Sequence, residues 1–279
     1  MMKVLAMAFL ALPLLIHTEQ KPEAKAALSD YDLSDKKPQQ FILPHKLGEA
    51  SGLAMTDDGR LFCHDDERAV VYQIDYSNGV IVKQFSLGRF GVRGDFEDIA
   101  VAGKLFYLVE SNGTIYEFPE AGNGQTVEFR MYKTPLTTQN DVEGLEYDPE
   151  THSLLLACKE FPGKGYEGNR AVYSFSLKTK QLSATPRFLI SLKEIRAKEF
   201  RPSGIARHPK TGTFFIIAAR GSTIIEISKE GKILDRQSIN KNVNTHPEGI
   251  TFAPDLTLIL CNDGQGKRGT LTLYPRTKR

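Results

Sequence analysis

A short phrase recurs five times along the chain: Glu49-Ala-Ser-Gly-Leu53, Phe96-Glu-Asp-Ile99, Val142-Glu-Gly-Leu145, Pro202-Ser-Gly-Ile205 and Pro247-Glu-Gly-Ile250. With Gly52, Asp98, Gly144, Gly204 and Gly249 aligned, the copies are 46, 46, 60 and 45 residues apart. A period of roughly 40 to 50 residues is that of a four-stranded propeller blade, a unit that buries its apolar faces only against its neighbours. Each copy then repeats one order: a short first strand, a turn rich in Asp, Gly and Pro, an apolar second strand and an alternating third strand. Val70-Val71-Tyr72-Gln73-Ile74 and Thr223-Ile224-Ile225-Glu226-Ile227 are third strands of this kind. Helical periodicity is nearly absent. The expected fold is an all-β, five-bladed β-propeller over residues 38–276, with a six-bladed ring as the alternative.

After Gly249 only 30 residues remain, enough for three strands and not four. Gln40-Phe41-Ile42-Leu43 belongs to no repeat and precedes the first one. It is expected to supply the outer strand of the last blade, which closes the ring and covers an open edge. The third copy carries the insertion, with a glycine-rich loop over 161–168 and a capping box, Ser191-Leu-Lys-Glu194, expected to start a helix running to about Lys198.

Lys3 followed by the apolar run Val4 to Ile16 and a polar stretch reads as a signal peptide or an N-terminal anchor, with a linker, over 1–26. Cleavage is expected after His17 or Thr18, or at the small-residue pattern Ala24-Lys25-Ala26. The polar residues from about Lys21 to Lys37 read as a linker. The folded part is thus expected outside the cytoplasm, in the periplasm or cell envelope, with membrane association through the N-terminus. Lys and Arg total 36 against 34 Asp and Glu, so no basic field exists to hold nucleic acid. Cys63, Cys158 and Cys261 each end an apolar run at equivalent points of different blades. They are expected to lie farther apart than the roughly 7 Å that a disulfide can bridge between Cα atoms.

In a propeller the first strands line the channel, and the loops entering them share a face with the turns between second and third strands. Glu49, Glu97, Asp98, Glu143 and Glu248 are therefore expected to ring the channel mouth, with Ser203 in the fourth blade's place. Asp65, Asp66, Glu110, Asn112, Lys159, Glu160, Arg220, Asn262 and Asp263 are brought towards the same face. Several carboxylates within a few ångströms repel by several kcal/mol at an effective dielectric of about 20, so some must protonate, pair with Arg220 or Lys159, or hold a cation. Oxygen-only donors favour a hard cation such as calcium over zinc, which prefers nitrogen and sulfur. His64 and His246 fall near this face without metal-ligand spacing. No Gly-x-Ser-x-Gly elbow is present, and Ser51 and Ser203 read as packing residues of the repeat.

Five stretches resemble the bacterial SdiA-regulated, YjiK-like propellers, distant kin of NHL repeats: Glu49-Ala-Ser-Gly-Leu53, Phe96-Glu-Asp-Ile-Ala100, Asp141-Val-Glu-Gly-Leu-Glu-Tyr-Asp148, Arg201-Pro-Ser-Gly-Ile-Ala206 and His246-Pro-Glu-Gly-Ile250. The resemblance implies a five-bladed ring, an extracytoplasmic or membrane-associated location, a calcium ion and no established activity. It places the calcium among Glu97, Asp98, Glu143 and Glu248, with Glu49 and Asp66 as lesser candidates. Cys261-Asn-Asp263 departs from the family's Ser-Glu pair. The expected function is an envelope protein, monomeric, that binds a small molecule or protein on the channel face. The alternatives are a calcium-dependent hydrolase of a lactone, ester or phosphoester, with His64 or His246 as base, and a metal-free interaction propeller.

Overall fold

The computed structural model describes residues 26–196 and 199–277. The apolar run Val4 to Ile16 and the candidate cleavage points up to Lys25 lie outside them. Five sheets follow one another as blades, antiparallel but for one short parallel pair, Ser86 opposite Thr126, at the outer edge of blade one. Their first strands are Ala50–Met55, Phe96–Ala102, Val142–Asp148, Gly204–Arg207 and Pro247–Phe252. Each first strand packs against the first strand on either side, so the five close a ring around the axis. The protein is a five-bladed β-propeller, as the repeat predicts. No helix among the described residues is long and apolar enough to cross a membrane.

The ring closes as expected. Gln39–Ile42 pairs antiparallel with Thr270–Tyr274, Gln39 opposite Leu273 and Ile42 opposite Thr270, and becomes the outer strand of blade five. Five hydrophobic clusters fill the five seams between neighbouring blades. The recurring glycine belongs to this packing. A Cβ on Gly204 would lie 2.5 Å from the Glu248 carbonyl oxygen, and one on Gly249 would lie 2.5 Å from that of Ser51. Neither distance leaves room for a methyl group between adjacent first strands.

Two expectations differ in detail. The insertion in blade three forms only one turn of helix, Leu192–Ile195, capped by the Ser191 side chain and ended by Arg196 in the left-handed region at φ 55°. The stretch read as a linker is, from Ala27 to Leu33, part of the core: Leu28 and Leu33 are fully buried in the seam between blades four and five. Polar residues at 29, 30 and 32 masked the apolar positions that dock. The three cysteines are free and buried, and Cys63 and Cys261 lie in one apolar cluster between blades five and one.

Candidate metal centre

Glu97 and Glu143 stand at the equivalent point of the repeat in blades two and three, one residue before the aligned position. Asp141 lies two residues before Glu143 and just outside the strand, with φ 54°, a left-handed kink at the strand's entry. One carboxylate oxygen from each of Glu97, Asp141 and Glu143 lies within 4.8 Å of the others. Glu248 faces the same mouth through a cavity of about 240 Å³ that it shares with Asp141, Glu143, Lys159, Arg201 and His246. The Ser51 hydroxyl donates to its Oε2 at 3.4 Å.

The electrostatics are those of crowded, partly buried acids. Burial holds the Glu97 carboxyl well above the usual range, and the neighbouring Glu143 and Asp95 add to the effect. Glu143 is raised by burial although the Lys159 ammonium opposes the shift, bonded directly to Glu143 and 3.7 Å from Asp141. Burial, followed by Asp263 and Glu143, pushes Glu248 to about 8. Lys159 is thus the built-in counter-ion that its turn was expected to supply. Arg220 instead faces Glu199 at 3.9 Å.

The other acidic positions fall elsewhere. Asp98 lies between blades two and three: its Oδ1 accepts from the Ile99 N–H at 2.8 Å and its Oδ2 from the Leu145 N–H at 2.7 Å. It stands where the other repeats have glycine, and it clips one first strand to the next instead of joining the carboxylates at the mouth. Glu49 is exposed. Asp66 forms a second acidic group with Glu49 and Asp65; burial, then those two charges, push it to about 7, and its Oδ1 is buried without a hydrogen-bond partner. Asp141 was absent from the expected ring because it falls outside the repeated phrase, and its left-handed backbone before a bulged strand entry leaves no alternation to point to it.

The donor set tests favourably against calcium. Three carboxylates supply up to six hard oxygens, and water can complete the six to eight that the ion takes. No nitrogen or sulfur ligand that zinc would demand joins them in the group. Candidate bases divide sharply. His64 is fully buried, its Nε2 accepting from the Gly52 N–H at 3.0 Å and its Nδ1 lying 3.1 Å from the Asp65 carbonyl. That ring is a strut with both nitrogens engaged. His246 is exposed to the cavity beside Glu248, with Gln265 against its ring at 3.0 Å. Asn140, the amide nearest the first strands, spends its side chain on the Thr137 N–H and the Phe161 carbonyl.

No family model matches the chain, and no curated protein sequence matches it. Solved structures do. A glutaminyl cyclase from Myxococcus xanthus is similar with a TM-score of 0.59 at 11% identity, over 85% of this chain and 93% of its own. A luciferin-regenerating enzyme gives 0.55 at 11% identity, over 86% and 95%. A PQQ-bound aldose sugar dehydrogenase from Streptomyces coelicolor gives 0.50 at 14%, over 86% and 99%. At these identities the likeness establishes the propeller fold and nothing of the chemistry.

Proposed function

We propose that this chain is an extracytoplasmic, calcium-binding β-propeller of the SdiA-regulated, YjiK-like kind, a monomer whose channel-mouth face binds a small molecule or a partner protein in the cell envelope. The observation that carries the reading is the approach of Glu97, Asp141 and Glu143 oxygens within 4.8 Å, Glu143 buried and the other two half-buried. Lys159 offsets one negative charge of the three, and Glu248 adds another at the same cavity. A divalent cation supplies the compensation that the protein's own side chains leave incomplete. The cavity beside the carboxylates, lined by Arg201 and Arg220 as well, offers a ligand both signs of charge.

The test is thermal unfolding of the folded chain after chelation, followed by calcium titration with magnesium as control. A site present only in the folded state contributes about 2.7 kcal/mol at a hundredfold excess over Kd, raising the midpoint by roughly 5 to 10 °C. The rise is expected to be saturable, calcium-selective and lost in Glu143→Gln. No shift with either ion would sink the metal reading.

His246 favours a second reading, a calcium-dependent hydrolase, because it is the one histidine that lines the cavity with Glu143 and Glu248. Calcium-loaded protein screened against lactones, esters and phosphoesters checks it. Turnover that survives His246→Ala unchanged removes the histidine from any catalytic role.

A further inference from the structure

On the face away from the carboxylates, the seam between blades four and five holds a second constellation. The Ala27 and Leu28 nitrogens both donate to Glu226 Oε2 at 2.7 Å, and the Thr213 hydroxyl donates to Oε1 at 2.7 Å. Glu226 is 0% exposed and Ala27 5%. The residues that follow are fixed at every step. Gln237 Nε2 donates to the Leu28 carbonyl at 2.7 Å, Arg276 pairs with Asp30 at 2.7 Å, and the Tyr31 hydroxyl donates to the Leu256 carbonyl at 2.9 Å. Among the described residues Ala27 is buried, while Ala26 is half-buried.

The sequence immediately upstream reads Ala24-Lys25-Ala26, small residues at positions −3 and −1 of the Ala26–Ala27 bond, downstream of the apolar run Val4 to Ile16. We infer that the chain is cut between Ala26 and Ala27 during export, and that Glu226 is the receptor for the α-ammonium so created. The cut is a hydrolysis by a peptidase that reads small residues at −3 and −1. Water adds across the amide, the C–N bond breaks, Ala26 departs with the new carboxylate and Ala27 keeps the nitrogen as an ammonium. A cut after His17 or Thr18 would leave the new amine eight or more residues upstream of the acceptor.

The receptor's chemistry supports the assignment. A glutamine at 226 could accept the two amide N–H groups on its oxygen and donate to the Thr213 hydroxyl in place of accepting from it, so uncharged partners alone do not call for a carboxylate. A buried carboxylate that accepts from two amides and a hydroxyl is costly, and burial holds Glu226 above the usual carboxylate range. An ammonium at the Ala27 nitrogen keeps the same hydrogen bond and adds the opposite charge. Because Ala27 is buried in the finished fold, the cut comes before docking. Maturation then locks the seam beside the strand Gln39–Ile42, where the two ends of the chain close the ring.

The first measurement is the intact mass of the full chain purified after export from a bacterial host. A chain beginning at Ala27 is expected; a start at Thr18 or Glu19, or an uncut chain, overturns the inference. The second compares a chain starting at Ala27 with one starting at Ala24, each with and without Glu226→Gln. At pH 7 the Ala27 start is expected to melt about 3 to 8 °C higher, and the difference to vanish in Glu226→Gln. Acetylating the α-amine of the Ala27 start, which leaves the propeller untouched, is expected to erase the same difference. Equal midpoints for the two starts, or an equal loss in both on Glu226→Gln, would mean that Glu226 serves only the amides.

Discussion

Glu97 and Asp98 are adjacent in the chain and chemically alike, yet their tasks differ because a bulge at the strand entry leaves Glu97 unpaired at the mouth and sets Asp98 against the next blade. Glu97 meets Asp141 and Glu143; Asp98 caps the Ile99 and Leu145 amides in the neighbouring seam. Substitutions separate the two roles. Asp98→Ala leaves two buried N–H groups without acceptors, each worth about 1 to 3 kcal/mol. Urea unfolding is expected to show a loss of about 3 kcal/mol, with the calcium response of the folded fraction preserved. Glu97→Gln does the reverse. Without a cation the Glu97 carboxyl is held in its neutral form by burial and by Glu143. Glutamine mimics that form, so the chelated protein should melt no lower than wild type at pH 8 while the calcium-induced rise disappears. A calcium rise that persists in Glu97→Gln would exclude Glu97 from the site.

Elements of the repeat explain why the first strands carry glycine. Gly204 lets blade four approach blade five until the Glu248 carbonyl stands 2.5 Å from where a Cβ would be. Gly204→Ala must push the two strands apart, at a cost of about 1 to 3 kcal/mol for an overpacked seam. The displaced backbone carries Glu248 with it. Calcium affinity, measured by the same thermal titration, should therefore weaken in Gly204→Ala even though residue 204 offers no ligand. The N-terminal segment follows a different logic. Ala27, Leu28, Tyr31 and Leu33 are interleaved with polar residues at a spacing that matches neither strand nor helix. They become core because Phe215, Phe252 and His208 form a slot that takes the Tyr31 ring.

For the whole molecule, buried titratable groups give opposing pH dependences. His64 and His208 are both depressed to about 4 by burial. Between pH 4 and 6.5 the unfolded chain binds the protons that these folded rings refuse, so stability rises with pH across that window. Glu248, raised to about 8, and Glu97, also raised, act in the other direction. From about pH 4.5 to 8 the folded carboxyl keeps a proton that the unfolded one has lost, so stability falls as pH rises, by about 1.4 kcal/mol per unit for each such group. The opposing histidine effect ends at about pH 6.5, leaving the carboxylate effect alone above it. With chelator present, the melting midpoint is expected to fall from pH 6.5 to 8. With saturating calcium, which binds the ionised carboxylates, that fall should disappear. A flat profile in chelator would contradict the buried, cation-free carboxylates.

The ring was legible in the chain because a blade is a local unit. Its turns, alternating strands and recurring glycine all lie within about 50 residues, and five copies with a spare N-terminal strand leave little choice of closure. Glu97, Glu143, Glu248 and Lys159 were legible for the same reason, as equivalent positions of one repeat. Tertiary structure alone decided what depends on the approach of distant segments: that Asp98 turns into a seam, that Asp141 joins the carboxylates, that the His64 ring is a strut, and that Ala27 to Leu33 dock against Glu226 and Tyr274. Side-chain direction at a bulged strand entry, and burial of a non-repeating segment, are set by what the neighbouring blade presents. No local pattern carries that information.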